Sequence, residues 1–222
     1  MMDWEALWVT LKLAGATTGV LLVLGLPVAY WISVTRLRWL RTLVEASIAL
    51  PILLPPTVVG FYLIYATGPR SSLGTLIANA TGRLLPFSFA GILLGSIIYN
   101  LPFAIRPFTA GFSSVDRKLV EASWCLGVSR LSTFRRVTLP LSRPAILTGI
   151  ILTFAHTVGE FGVVLMLGGD IPGQTRTLSI SIYDSVQALN YQAAAQTSLI
   201  LVIFAFIVLL ITYGLQRRVL PP

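Results

Sequence analysis

Five long apolar runs alternate with short polar stretches along the chain, at about residues 7–34, 43–66, 87–112, 144–168 and 193–215. About 20 apolar residues carry a helix across a bilayer, so each run predicts one membrane crossing. The intervening stretches are TRLRWLR, TGPRSSLGTLIANATGRLLP, a charged segment at about 113–143, and GDIPGQTRTLSISIYDSVQALNY. Helix breakers interrupt two runs: Pro51, Pro55 and Pro56 in the second, Pro102 and Pro107 in the third. Each break is either a tolerated kink or a helix shaped around a solute pathway, because freed backbone groups need partners in protein or a wet cavity. Gly15/Gly19 and Gly91/Gly95 permit close helix approach, with packing inside one subunit as the default. In the second polar stretch, Leu73, Leu76, Ile77 and Ala80 share one helical face; the segment lies on the membrane surface or forms a buried turn.

The charged segment has its own helical pattern. Ser113 with Asp116 matches a capping box, and Val115, Leu119, Ala122 and Leu126 recur at helical spacing. Arg117 and Lys118 can reach Glu121 at i+4 and i+3. Gly127 falls where a helix ends in the left-handed conformation. Ser129 can cap a second short helix carrying Leu131 and Phe134, which Leu139-Pro140 is expected to stop. Ser142 and Pro144 suit the start of the fourth run. The segment therefore reads as two short amphipathic helices around a glycine corner. Its apolar stripe packs either on the chain's own helix ends or against a partner.

Composition narrows the class. The 222 residues are 55% hydrophobic and 11% charged, where a soluble domain carries about 25% charged residues. The expected fold is a single all-α polytopic membrane domain, residues 1–222, with about five transmembrane helices. The net charge of +8 does not indicate nucleic acid, because the cations are distributed by side. Eleven (Arg36, Arg38, Arg41, Arg117, Lys118, Arg130, Arg135, Arg136, Arg143, Arg217 and Arg218) fall on one side, against Arg70, Arg83 and Arg176 on the other. Lys12 and Arg106 lie within runs, near enough to the ends to snorkel. The bias places the charged segment and the C-terminus in the cytoplasm and the N-terminus outside. The opening MMDWEALWVTLKLAG is acidic, unlike a basic signal-peptide start, and reads as a retained first helix. Cys125 has no partner for an internal disulfide, and one cysteine with one histidine cannot supply a zinc site.

The spacing Glu121-Ala122-Ser123, three residues, Gly127, nine residues, then Val137-Thr138-Leu139-Pro140 resembles the cytoplasmic signature of ABC importer permeases. Ser123 and Val137 are mild departures from its alanine and isoleucine. LVEAS also occurs at 43–47, but there no glycine follows at the matching place. LPILLPPTVVG, HTVGEFGVV and IPGQTRTL are similar to the molybdate-type permeases and their sulfate relatives. This resemblance implies a type I importer-permease fold with a cytoplasmic coupling helix. It implies ATPase-coupling roles for Glu121, Ala122, Ser123, Gly127, Leu139 and Pro140. It also implies partners: separate ABC ATPase subunits, an extracytoplasmic binding protein and a second copy of the chain, within membrane lipid. Mg-ATP would sit in the ATPase, with no cofactor or metal here, because no GxxxxGK[ST] phosphate loop occurs.

Many relatives carry arginine where His156 stands. His156 and Glu160 share a helix face and form a structural pair, because an ionised intramembrane acid needs a partner or water. They remain candidate pathway residues, although a carboxylate repels an oxyanion. Arg176, flanked by Thr175 and Thr177, is the better anion contact; docking of an external partner or a solvated charge is the alternative. A secondary transporter would show repeated halves and paired intramembrane charges. A membrane enzyme would need clustered catalytic groups, and no catalytic residue is assigned. The expected function is import of molybdate, with tungstate possible, across the cytoplasmic membrane; a sulfate/thiosulfate-type permease is the alternative.

Overall fold

The computed structural model describes residues 3–219, with side chains described through Gly214; the side chains of Arg217 and Arg218 fall outside the described residues. The described residues form eleven α-helices: α1 Trp4–Val34, α2 Arg38–Leu53, α3 Pro56–Thr67, α4 Ser72–Thr81, α5 Phe89–Ser113, α6 Arg117–Cys125, α7 Arg130–Thr133, α8 Leu139–Gly159, α9 Gly162–Gly168, α10 Leu178–Gln187 and α11 Tyr191–Val219. Among the described residues, four stretches are long and apolar enough to cross a membrane: α1, α5, Arg130–Gly159 and Tyr191–Gly214. The α2–α3 pair is the fifth candidate, bent by 110° at its break.

That bend follows from Pro55-Pro56. A residue before proline is pushed out of the helical region, and the rule acts twice here. Leu54 takes ψ 144° and Pro55 ψ 134°. Pro56 then occupies the first turn of α3, where a missing N–H costs nothing. Pro51 lies within α2, and Pro102 and Pro107 lie within α5. Those three are tolerated inside their helices, and the second run alone is broken by its prolines.

The fourth run is not one helix. α8 ends at Gly159, Glu160 takes an extended conformation (φ −67°, ψ 133°), and α9 follows. At seven residues α9 rises only about 10 Å, too little to span. It packs against α3 and α5. A Cβ on Gly162 would stand 2.7 Å from Pro56 Cβ, so the two chain breaks lie against each other. Irregular backbone at membrane depth is tolerated when it is buried in protein in this way.

α5 is the hub, touching α1, α2, α3, α8 and α9. One apolar cluster joins the C-terminal halves of α1 and α5 to α2 and α8, through Leu21, Ile32, Ile48, Ile105, Phe108 and Ile146. A second joins their N-terminal halves to α3, α9 and α10, through Leu13, Val59, Ile92, Val163, Leu167 and Ile180. The Gly91/Gly95 pair packs within the subunit, since a Cβ on Gly95 would meet Val163 Cγ1 at 2.7 Å. Gly15 and Gly19 do not: a Cβ there meets nothing within 4 Å. The segment at 72–81 is a helix, capped by Ser71 and closed by left-handed Gly82, with Leu73 and Leu76 exposed.

Candidate functional site

The segment between α5 and α8 begins one step later than its sequence pattern suggests. Ser113 closes α5, and Asp116 caps α6, its carboxylate accepting from Lys118 N at 2.9 Å. An acid at this position also suits the positive end of the helix dipole. At the other end Val128 N–H donates to Ser123 O (3.1 Å) and Gly127 N–H to Trp124 O (2.9 Å). These are the two bonds of a Schellman ending, which requires left-handed backbone at Gly127, found at φ 77°. Ser129 caps α7, and the Ser123 and Thr133 hydroxyls meet at 2.9 Å, tying α6 to α7. Arg117 pairs with Glu121 at 2.8 Å on the exposed side.

No residue of α6 is buried. Leu119 is 50% exposed, Trp124 45% and Leu126, just past the helix, 83%. The apolar stripe therefore does not fold back onto the chain's own helix ends, which leaves it available to a partner.

Leu139-Pro140 does not stop the second helix. A π-helical stretch, Phe134–Thr138, joins α7 to α8. There Leu139 N–H bonds the carbonyl five residues back, at Phe134. The shifted ladder carries the chain past a proline that has no N–H to give. Leu139 is half-buried against the inner core cluster, so this pair forms the root of α8 rather than an outward surface. Ser142, expected at the start of the span, lies buried inside α8, donating to Gly111 O (3.0 Å) and Thr138 O (2.8 Å).

A polar group lies inside the bundle where α8 breaks. Glu160 is 5% exposed. It does not pair directly with His156; both meet Asn100 of α5. Asn100 Nδ2 donates to Glu160 Oε2 (3.0 Å) and to Ser96 O (2.8 Å), while Asn100 Oδ1 faces His156 Nδ1 at 2.9 Å. With both amide hydrogens committed, Oδ1 is an acceptor, so His156 donates from Nδ1. The imidazole also stacks on Phe103, with ring centroids 3.9 Å apart. Glu160 Oε1 and Ser96 Oγ are buried with no partner among the described residues. This linkage anchors the end of α8 to α5. Asn100 was missed in the sequence; the available signal was a lone amide inside the third apolar run, where polar groups are costly and need partners.

The loop between α9 and α10 corrects the anion-contact expectation. The Arg176 guanidinium makes a two-armed bond to Asp170, reaches Asp184 Oδ2 at 3.2 Å and lies 3.8 Å from Asp3 Oδ2. Three carboxylates already satisfy its charge, and the hydrogen bonds from Arg176 hold the Asp170 carboxyl below the usual range. The Asp184 carboxyl is pushed up, first by its hydrogen bond with Asp170, then by burial. Thr175 is buried, donating to Gly168 O (2.8 Å) and accepting from Ile171 N (3.2 Å). Thr177 is also buried, and the next amide, Leu178 N–H, donates to Thr10 Oγ1 at 2.9 Å. The loop is a clasp binding α1 to α10. An apolar groove of about 350 Å³ beside it, lined by Phe161, Ser179, Ile182, Tyr183 and Val186, has no cation to meet an anion.

Residues 22–221 match the family described as binding-protein-dependent transport system inner membrane component. The chain is 44% identical over 97% of its length, and 95% of the relative's, to "Molybdenum transport system permease protein ModB" of Azotobacter vinelandii. It is 32% identical over 84% of its length, and 70% of the relative's, to "Probable sulfate transport system permease protein cysT" of Chlorella vulgaris. A solved bacterial ABC transporter involved in import of the acidic polysaccharide alginate superposes with TM-score 0.76, covering 96% of this chain and 78% of that one at 20% identity. At that identity the likeness concerns the fold.

Proposed function

The chain belongs to the family of binding-protein-dependent transport system inner membrane components, and from that membership we propose that it is the membrane-spanning subunit of an ATP-driven importer of molybdate, with tungstate as a second substrate. The observation that carries the substrate is the 44% identity to a molybdenum transport permease across nearly both full lengths. The observation that supports the coupling mechanism is the exposed apolar face of α6. Mg-ATP binds and is hydrolysed in a separate ATPase subunit. Closure of the ATPase pulls on α6 of each of two copies. Glu121, Ala122 and Ser123 present the joint, and Gly127 turns it. The Ser123–Thr133 contact passes the pull to α7, and the continuous helix from Arg130 to Gly159 carries it to the break at Glu160. A binding protein delivers the anion from the N-terminal, outer side, and the cytoplasmic side holds α6 and the C-terminus.

A sulfate permease is the second reading, favoured by the 32% identity to a sulfate transport relative. Uptake into vesicles holding the permease, its ATPase and its cognate binding protein separates the two. The expected result is ATP-dependent molybdate uptake, competed by tungstate, with sulfate about tenfold or more weaker, a difference of ~1.4 kcal/mol in recognition. Uptake of sulfate without molybdate overturns the molybdate assignment and leaves the family membership intact.

A further inference from the structure

We propose that Tyr99, Phe103 and Arg106 on α5, with His156 seated against them, form the wall of the translocation pathway that touches the oxyanion, and that Arg106 supplies the charge. The inference deepens the oxyanion-importer reading and rests on it.

Residues 99, 103 and 106 are spaced four and three apart, so they share one stripe of the helix. α5 is otherwise the hub of the fold, with neighbours on the sides of α1, α2, α3, α8 and α9. Asn100, Ala104, Ile105 and Phe108 are buried in that packing. Tyr99 and Phe103 are only partly buried, and Arg106 is exposed, as is Ala110 one turn further on. A central helix thus keeps one open stripe, and that stripe carries the cation.

Arg106 stands seven residues before the end of α5 at Ser113, about 10 Å up the helix from its inner end. It makes no ion pair with any described residue; Glu45 and Glu121 pair with Arg41 and Arg117, Asp170 and Asp184 with Arg176, and Glu160 with Asn100. At that depth an unpaired arginine facing hydrocarbon has to snorkel to the interface, whereas one facing a water-filled cavity needs no such reach. A single copy leaves the stripe open, so the opposing wall comes from the second copy of the chain.

The chemistry separates the two basic side chains. His156 Nδ1 donates to Asn100, which leaves Nε2 of the neutral ring as an acceptor, unsuited to an anion. The imidazole instead stacks on Phe103 at 3.9 Å and lies 5.6 Å from Tyr99, fixing the aromatic wall. The guanidinium of Arg106 offers charged, forked donors of the kind that match a tetrahedral oxyanion.

The test uses the complete transporter in proteoliposomes. Arg106→Ala should lower the molybdate moved per ATP hydrolysed by about tenfold or more, and Arg106→Lys should restore part of it, since lysine keeps the charge and loses the fork. Arg106→Cys should react with a charged, water-soluble methanethiosulfonate, read at position 106 by mass spectrometry, and molybdate should slow that reaction. Wild-type coupling in Arg106→Ala overturns the proposal. So does an unreactive Arg106→Cys, which marks a lipid-facing, snorkelling arginine; this readout decides the matter if Arg106→Ala fails to assemble. Molybdate-independent labelling removes the oxyanion contact. A wild-type system that moves no oxyanion at all overturns the functional reading itself.

Discussion

Leu126→Asp is expected to weaken association of the chain with its ATPase subunit by about 10- to 100-fold, or ~1.4–2.7 kcal/mol. Leu126 is 83% exposed, so it adds almost nothing to the fold of the isolated chain. Burying a leucine against a partner is worth about 1.5–3 kcal/mol, and an aspartate there would also take an unpaired charge into the contact. Gly127→Val acts differently. It places a branched side chain at φ 77°, a strain of about 1–2 kcal/mol. It relieves that strain by undoing the Schellman ending and so misaims α6 relative to α7. Glu121→Lys loses only an exposed i,i+4 pair with Arg117, so any large effect of that change on assembly reports partner contact rather than stability. Co-purification and a titrated ATPase affinity measure all three. Full membrane insertion with lost affinity is the expected result; unchanged affinity in both Leu126→Asp and Gly127→Val removes α6 as the docking element.

Asn100→Leu should destabilise the chain by about 1–3 kcal/mol, because it strips a buried acid of its donor. Glu160 Oε2 has Asn100 Nδ2 as its partner, and His156 Nδ1 has Asn100 Oδ1. Replacing the amide with an apolar side chain of similar size orphans both. The double change Asn100→Leu, Glu160→Leu should be milder than Asn100→Leu alone, since removing both partners avoids an unsatisfied buried carboxylate. Such non-additivity is the signature of a direct contact. Thermal unfolding of the purified protein in detergent gives all three values. A stable Asn100→Leu variant, or a double variant equal to the sum of the singles, contradicts the linkage.

The apolar runs, the side bias of the cations, the glycine corner after α6 and the Ser129 cap of α7 are local features, and they are legible in the sequence; the start of α6 is not, since Ser113 closes α5 and Asp116 supplies the cap. Gly127 is the clearest case: its position past a nine-residue helix announces the left-handed turn found there. Pro55-Pro56 is likewise legible as a break, although its 110° bend is not. The break at Glu160 carries no proline and is set by tertiary packing, where Gly162 lies against Pro56, over a hundred residues earlier in the chain. Asn100 and Glu160 meet across 60 positions, so the sequence offers only two polar residues in apolar runs and no sign that they are partners. Arg176 misleads because IPGQTRTL read alone presents a lone cation, while its carboxylates lie just outside that stretch at Asp170 and Asp184 and, far off in the chain, at Asp3. The Pro140 expectation failed because a π-helical stretch, invisible to a 3.6-residue pattern, absorbs the proline.

The central claim is that α6 sits against the ATPase on the cytoplasmic side. The most direct measurement places a benzophenone amino acid at position 126 and, separately, at position 83, in the assembled transporter, and reads the photoproducts. The account predicts a covalent adduct with the ATPase from position 126 and none from position 83, since Arg83 follows α4 and the cation bias assigns that loop to the opposite side of the bilayer. An ATPase adduct from position 83, or none from position 126 in a complex that hydrolyses ATP, would contradict it.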